Sequence, residues 1–263
     1  MIKFFRKIRQ NLLSEGKTGE YLKYAIGEII LVVIGILIAL QINTWNQKRI
    51  NAKEERRIFK DLSEELQFNR FLIENGRKTM TEVVGTAEDM LTKINNPNIL
   101  VPQKKLDIQI DKLTRVWLSG KPTSLYDVLS GSGDFKLISS SLLRKKLTDL
   151  KANQESLQKW EEDQTRFVDS ELRPFLNRNS DRTKVRSIRE SANLITSYHK
   201  SIFPIDNREI LQNNEFANLL IDLIFFTQRI TDTYVRIERD INVIDSLIHV
   251  KYPEIDAKSY TPY

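Results

Sequence analysis

The sequence contains no cysteine among its 263 residues. This absence excludes disulfide bonds, thiolate metal sites and a cysteine nucleophile. Histidine is almost absent as well, with only His199 and His249. Glycine and proline are sparse, at nine and seven residues, and neither occurs between Gly35 and Gly76. Because these two residue types interrupt helices, the stretch between those glycines can form one long helix.

An excess of charge of one sign is also missing from most of the chain. The net charge is +6, of which residues 1–25 contribute +4 and the apolar segment that follows contributes −1. Residues 46–263 therefore carry only +3. Nucleic-acid-binding domains usually show a concentrated basic patch, and none is evident here, so we expect no nucleic-acid partner.

The chain has one long hydrophobic run, residues 29–40, in which all twelve residues are apolar. A membrane-spanning helix needs about 20 residues, and the flanks supply the rest. From Tyr24 to Trp45 the segment has 22 residues, with an aromatic residue at each end. Because Tyr and Trp favour the headgroup level of a bilayer, the pattern predicts an uncleaved transmembrane helix over residues 24–45. A cleaved signal peptide is the alternative, but no small-x-small cleavage site follows the run.

The first 23 residues predict a basic amphipathic segment. Its aromatic residues lie with Ile8 and Leu12 on one side of a helix, and its basic residues occupy other positions. Such a helix lies along an anionic lipid surface. The alternative is a disordered basic tail. We predict that the following residues lie at the membrane interface: Phe4, Phe5, Arg6, Lys7, Tyr24 and Trp45.

The predicted span contains one acidic residue, Glu28, about one turn inside Tyr24. At that depth the carboxylate can reach toward water and pair with Lys23 or a lipid headgroup. Alternatively, Glu28 contacts a partner helix together with Gly35 and Ala39, whose small side chains let two helices approach closely. We therefore predict Glu28, Gly35 and Ala39 as a candidate intramembrane contact.

The orientation of the span is not decided by the positive-inside count, because each flank carries six Lys and Arg residues. An outward N-terminus would require a short tail with six cations to cross the membrane. We therefore expect a protein of the inner (cytoplasmic) membrane with a cytoplasmic N-terminus and a periplasmic C-terminal domain.

The remainder of the chain predicts an all-α fold. The transmembrane helix continues into a helical stalk over residues 46–75, followed by an extramembrane helical bundle over residues 76–252 and a tail over residues 253–263. Apolar residues at helical spacing and capping signals place the individual helices. Ile58, Leu62 and Leu66 form one such apolar stripe. A serine run caps the helix that begins near Ser141, and Pro174 kinks or ends that helix. The predicted helices beyond the stalk are residues 77–94, 106–118, 141–172, 185–202 and 215–250.

No pattern in the sequence indicates catalysis, a cofactor or a metal. The Gly/Ser loop at residues 130–133 lacks the strand and lysine of a phosphate-binding loop, and we interpret it as a turn between helices. Asp245 and His249 lie four residues apart, which is more typical of a surface contact than of a metal site. The acidic residues 161–163 have the pattern of a solvated face. We predict no catalytic, cofactor-binding or metal-binding residue.

The opening residues MIKFFRKIRQNLL, together with KTGEYLKYAIGEIILVVIGILIALQINTWN at residues 17–46, closely resemble an uncharacterised family of Gram-negative bacterial single-pass membrane proteins. The segments 126–144 and 214–220 resemble later parts of that family. The resemblance implies a membrane anchor and a helical remainder, and Glu28 belongs to the matched motif. It implies no activity.

The function expected from these patterns is that of a membrane-anchored helical interaction or scaffold protein rather than an enzyme. Its expected partners are membrane lipid and either another protein or further copies of itself, and no cofactor is expected. An extracytoplasmic sensor that signals through a partner is the alternative. An uncharacterised enzyme is a weaker one.

Overall fold

The computed structural model describes residues 18–120, 125–186, 203 and 205–255. Regular structure in these residues is entirely helical, which confirms the all-α prediction. A π-helical turn, Val168–Leu172, and two 3₁₀ turns, Asp134–Leu137 and Asn207–Gln212, join the helices. The α-helices are α1 (Thr18–Asn95), α2 (Gln103–Leu113), α3 (Leu125–Ser132), α4 (Ser141–Phe167), α5 (Arg173–Asn179), α6 (Arg182–Arg186) and α7 (Asn214–Lys251).

The chain divides into two compact units, Met1–Arg57 and Ile58–Tyr263. The N-terminal unit contains the hydrophobic run on α1, and its large apolar side chains at residues 29–40 are between 47% and 67% exposed. A helix that is apolar on every side is normally buried in a protein or in a membrane. It is the one helix among the described residues that is long and apolar enough to cross a membrane.

The C-terminal unit has a continuous apolar core. From Ile58 onward α1 buries residues at helical spacing, and the predicted stripe of Ile58, Leu62 and Leu66 is confirmed as part of that core. α7 buries a stripe of side chains from Phe216 to Ile248 and packs along α4. The α1 residues in the core are Ile58, Phe59, Leu62, Leu66, Ile73, Met80, Val83, Ala87 and Met90.

α1 continues through Gly76 without a break. The prediction of a separate helix over residues 77–94 was therefore wrong. Glycine weakens a helix by about 1 kcal/mol relative to alanine, but tertiary packing readily overrides this preference. The domain boundaries drawn from the sequence, with a stalk over residues 46–75, stay a prediction.

α2 is shorter than predicted and leaves Trp117 outside a helix. The helix ends at Leu113, where the hydroxyl and the backbone N–H of Thr114 both bond to the carbonyl of Asp111. These local bonds close the last turn, and the chain then runs as residues 115–120 without regular structure. Residues 114–120, which we call the Trp117 segment, pack against the rest of the C-terminal unit.

α4 begins at the predicted serine run, where the Ser140 hydroxyl accepts a hydrogen bond from the Leu143 N–H. Pro174, predicted to kink or end this helix, instead lies in the first turn of α5, where proline is tolerated. A π-helical turn precedes it, so the chain stays helical to Asn179. The predicted break over residues 130–133 is found at Gly133, which follows the end of α3 and adopts a positive φ of 77°.

α7 matches its predicted range closely. The Asn213 side chain accepts from the Phe216 N–H and caps the helix, which ends two residues before Pro253. The predicted helix over residues 185–202 lies mostly outside the described residues, and so does most of the predicted C-terminal tail.

Candidate functional site

The predicted intramembrane contact residues share one face of α1. Glu28 and Gly35 are seven residues apart and Ala39 follows four residues later, so their positions coincide within about 40° around the helix. Gly35 and Ala39 are exposed, and no atom lies within 4 Å of a Cβ built on Gly35. Glu28 is half-buried. Contact of this face with another helix stays a prediction.

The predicted membrane-interface residues are only partly described. Trp45 is 64% exposed, and the Arg49 guanidinium lies 5.6 Å from the centroid of its ring. Tyr24 lies on α1, but its side chain is outside the described part. Phe4, Phe5, Arg6 and Lys7 lie outside the described residues altogether.

A polar site that the sequence did not predict lies inside the C-terminal unit. Glu161 of α4 is only 2% exposed, so its assignment to a solvated acidic face was wrong. One of its carboxylate oxygens accepts from the backbone N–H of Ser119 at 3.0 Å. The other accepts from the Ser119 hydroxyl and, at 3.1 Å, from the Tyr234 hydroxyl. We call these three residues the Glu161 cluster.

Helical spacing explains why Glu161 points inward. It lies four residues after Leu157 and three before Gln164, and both neighbours are buried on the same stripe of α4. Tyr234 occupies the equivalent stripe of α7, between Ile230 and Ile237. The apolar stripe of α4 continues through position 161. This continuation is the sequence signal that could have predicted the burial of Glu161.

Gly76 makes room for the Glu161 cluster. A Cβ atom at this position would lie 2.3 Å from the Tyr234 hydroxyl oxygen and 2.7 Å from the ring carbon that bears it. It would also lie 2.8 Å from Cδ1 of Trp117. Because a real side chain cannot approach so closely, only glycine allows Tyr234 and Trp117 to pack against α1 at this point.

Burial dominates the electrostatics of the cluster. It raises the pKa of Glu161, while the hydrogen bonds from Ser119 and Tyr234 act in the opposite direction. Burial and the neighbouring Glu161 carboxylate likewise raise the pKa of Tyr234, which keeps the phenol protonated as a donor. Among the described residues no lysine or arginine forms an ion pair with Glu161, so hydrogen bonds alone compensate its charge.

A small cleft lies beside the cluster. It has a volume of about 20 Å³, which corresponds to roughly one water molecule. Asn69 of α1 is 4% exposed and lines the cleft, and its side-chain N–H₂ has no hydrogen-bond partner among the described groups. The lining residues are Asn69, Leu72, Ile73, Ser119, Gly120, Gln154, Leu157, Gln158, Glu161 and Ile237.

We predict that Glu161→Gln changes the pH dependence of stability. Since the folded pKa lies above the unfolded value, both states are protonated at low pH and wild-type stability is then undiminished. As pH rises through the unfolded pKa toward the folded one, the unfolded state loses its proton first and stability falls. The glutamine variant should lack this fall.

Urea unfolding of the detergent-solubilised chain between pH 4 and pH 8, followed by circular dichroism, measures the effect. Glu171→Gln is the matched control, because Glu171 is exposed, and it should keep the wild-type slope. Identical slopes for wild type and Glu161→Gln would contradict the assignment of a raised pKa to Glu161.

A second buried polar group ties two distant segments together. The Asn207 amide donates to the Asp107 carboxylate at 2.6 Å and accepts from the backbone N–H of Asp181 at 2.6 Å. The Asp181 carboxylate in turn accepts from the backbone and side chain of Thr183. The second Asp181 carboxylate oxygen pairs with Lys184 at 3.5 Å, so we interpret this network as structural.

Asp245 and His249 do not form a site. The Asp245 carboxylate pairs with Arg70 at 3.2 Å, and His249 is exposed. Within the described part of the chain, no three or more histidine, aspartate or glutamate side chains are grouped so that they could hold a metal ion.

Residues 28–154, just under half of the chain, match a protein family described as a family of unknown function (DUF6090). No curated protein and no solved structure matches the chain. Similarity to an uncharacterised family is thereby confirmed over this region. The matched region contains Gly76 and Ser119 but ends before Glu161 and Tyr234. That the family is bacterial and membrane-anchored stays a prediction.

Proposed function

We propose that this chain is a membrane-anchored helical interaction or scaffold protein. Residues 24–45 cross the inner membrane once, and the C-terminal unit presents its helical surface in the periplasm. The exposed apolar side chains at residues 29–40 are the observation that supports this proposal most directly. Leaving such a surface in water would be costly, because each square ångström of apolar area transferred from water contributes about 25 cal/mol.

The proposed partner of the anchor is a second membrane helix, either of another protein or of another copy of the chain. Glu28, Gly35 and Ala39 form the contact face, since small residues permit close approach and an acid within a span is seldom exposed to lipid. Lipid is the second partner, bound by the basic N-terminal segment. The weak net charge of residues 46–263 argues against a nucleic-acid partner.

A binding role rather than catalysis is proposed for the C-terminal unit. The carboxylate of Glu161 is bonded to Ser119 and Tyr234 rather than presented to a large open pocket. An extracytoplasmic sensor is the second candidate function. The cleft beside Asn69, with its unpartnered donor, is the feature that favours it.

The proposed orientation can be tested by single-cysteine labelling, because the chain has no native cysteine. We expect Asn177→Cys, at an exposed position, to react with a membrane-impermeant maleimide once the outer membrane is opened. Ser14→Cys should react only after the inner membrane is broken. The reverse pattern would place the C-terminal unit in the cytoplasm, and labelling of both positions before lysis would exclude a single span.

The proposed contact face can be tested by co-purification. Full-length protein purified in mild detergent should retain a membrane partner or a second, differently tagged copy, and Glu28→Gln should reduce recovery of that partner severalfold. Asn46→Gln is a matched control on the same face but outside the apolar run. Unchanged recovery with Glu28→Gln would remove Glu28 from the contact.

A further inference from the structure

The cleft beside the Glu161 cluster is lined by both a hydrogen-bond donor, on Asn69, and a hydrogen-bond acceptor, on Glu161. Asn69 contributes an N–H₂ group that has no partner among the described residues, although its side chain is almost completely buried. A buried donor without a partner costs about 1–3 kcal/mol, so such groups normally mark an absent hydrogen-bonding group. The cleft therefore requires an acceptor near Asn69.

Glu161 can accept a further hydrogen bond, so it requires a donor. A carboxylate offers about four lone-pair positions, and the described donors, two from Ser119 and one from Tyr234, use three of them. No cation among the described residues compensates its charge. An incoming donor would supply a further hydrogen bond to this carboxylate.

A hydroxyl group satisfies both requirements at once, because it accepts one hydrogen bond and donates another, as a water molecule does that such a hydroxyl would replace. An ammonium group donates only, and it leaves Asn69 without an acceptor. A carboxylate or phosphate accepts only, and it repels Glu161. The cleft volume of about 20 Å³ also admits a single hydroxyl-sized group and little more.

We propose that this cleft binds a small hydroxylated ligand, such as a polyol, through one hydroxyl group held between the Asn69 amide and the Glu161 carboxylate. Gln154 and Gln158 are half-exposed and offer further hydrogen bonds to the part of the ligand outside. The side chains of Leu72 and Leu157 line the cleft beside the carbon atoms of the ligand. This inference goes beyond the interaction role and supplies a ligand class for the sensor alternative.

The test uses the full-length chain in detergent micelles and saturation-transfer NMR with glycerol as the probe. Glycerol should receive saturation from the wild-type protein, and Asn69→Ala should weaken its binding about tenfold, the loss expected from one hydrogen bond. Asn75→Ala is the matched control, because Asn75 donates to the Phe71 carbonyl outside the cleft, and it should bind like wild type.

Ethylammonium, which has no hydroxyl, serves as the comparison probe and should receive no saturation. Failure of glycerol to bind, equal binding by wild type and Asn69→Ala, or binding of ethylammonium in place of glycerol would each overturn the proposal. If Asn69→Ala does not fold, as judged by its melting curve, Gln158→Leu at the half-exposed side of the cleft takes its place with the same expected direction. None of these results depends on the labelling and co-purification that test the proposed function.

Discussion

Replacing Gly76 by alanine is expected to lower the free energy of unfolding by about 3 kcal/mol, the upper range for overpacking a core. The added methyl group would lie 2.3 Å from the hydroxyl oxygen of Tyr234, a fully buried side chain. Tyr234 cannot move aside freely, because its hydroxyl donates to Glu161. Cδ1 of Trp117 would lie 2.8 Å from the same methyl group, so the methyl group has no room on that side either.

The sign of this effect makes it diagnostic. In an ordinary helix, glycine to alanine stabilises by about 1 kcal/mol, because alanine has the better helix propensity. Gly85 provides the matched control on the same helix, since it is exposed and a Cβ atom there meets nothing within 4 Å. Gly85→Ala should therefore stabilise the protein, and the two variants should differ by about 4 kcal/mol.

Urea unfolding of the full-length protein in mild detergent, followed by circular dichroism, measures both variants. A second substitution separates packing from other causes: Tyr234→Leu removes the hydroxyl and the ring carbon nearest to Gly76. In that background Gly76→Ala should cost much less than in wild type. Equal stability of Gly76→Ala and Gly85→Ala would show that Tyr234 does not pack against α1 at Gly76.

Sequence patterns predicted the structural features whose residues lie close together along the chain. The hydrophobic run on α1 and the serine cap of α4 each depend on residues within a few positions of one another. Helical spacing likewise predicted that Ile58, Leu62 and Leu66 share one buried stripe. The fold class follows from these local signals.

The Glu161 cluster could not be predicted in the same way, because its contacts are distant along the chain. Glu161 bonds to Ser119 and Tyr234, which are 42 and 73 residues away. The acidic residues that follow Glu161 suggested a solvated face. Its burial instead follows from the apolar stripe of α4 that it shares with Leu157. Gly76 was interpreted as a helix break for a similar reason, since the partners that require a glycine there lie on the Trp117 segment and α7.

Two arginines placed in the middle of the hydrophobic run are expected to abolish stable membrane anchoring. Val33 and Leu37 lie one turn apart near the centre of residues 29–40, and both are about half exposed on α1. On insertion scales an arginine at the centre of a span costs about 2.5–3.5 kcal/mol, and each apolar residue contributes about −0.3 to −0.6 kcal/mol. Two arginines would therefore offset much or all of the contribution of the twelve-residue run.

Membrane fractionation with alkaline carbonate extraction measures this effect. Wild-type protein should remain with the membranes, whereas Val33→Arg/Leu37→Arg should move into the soluble or aggregated fraction. Gln47→Arg/Asn51→Arg is the matched control, with the same added charge and the same four-residue spacing on an exposed, polar part of α1. It should remain membrane-bound, because arginine near the end of a span reaches the interface.

The comparison also separates a span from its alternatives. If residues 29–40 were instead covered by a soluble partner protein, wild-type protein would be released by carbonate, whose high pH detaches peripheral complexes. If the basic N-terminal segment alone held the chain at the membrane, the contact would be peripheral and electrostatic, so carbonate would release the wild type and both double variants alike. Only a hydrophobic span predicts retention of the wild type and the flank variant together with loss of the central one.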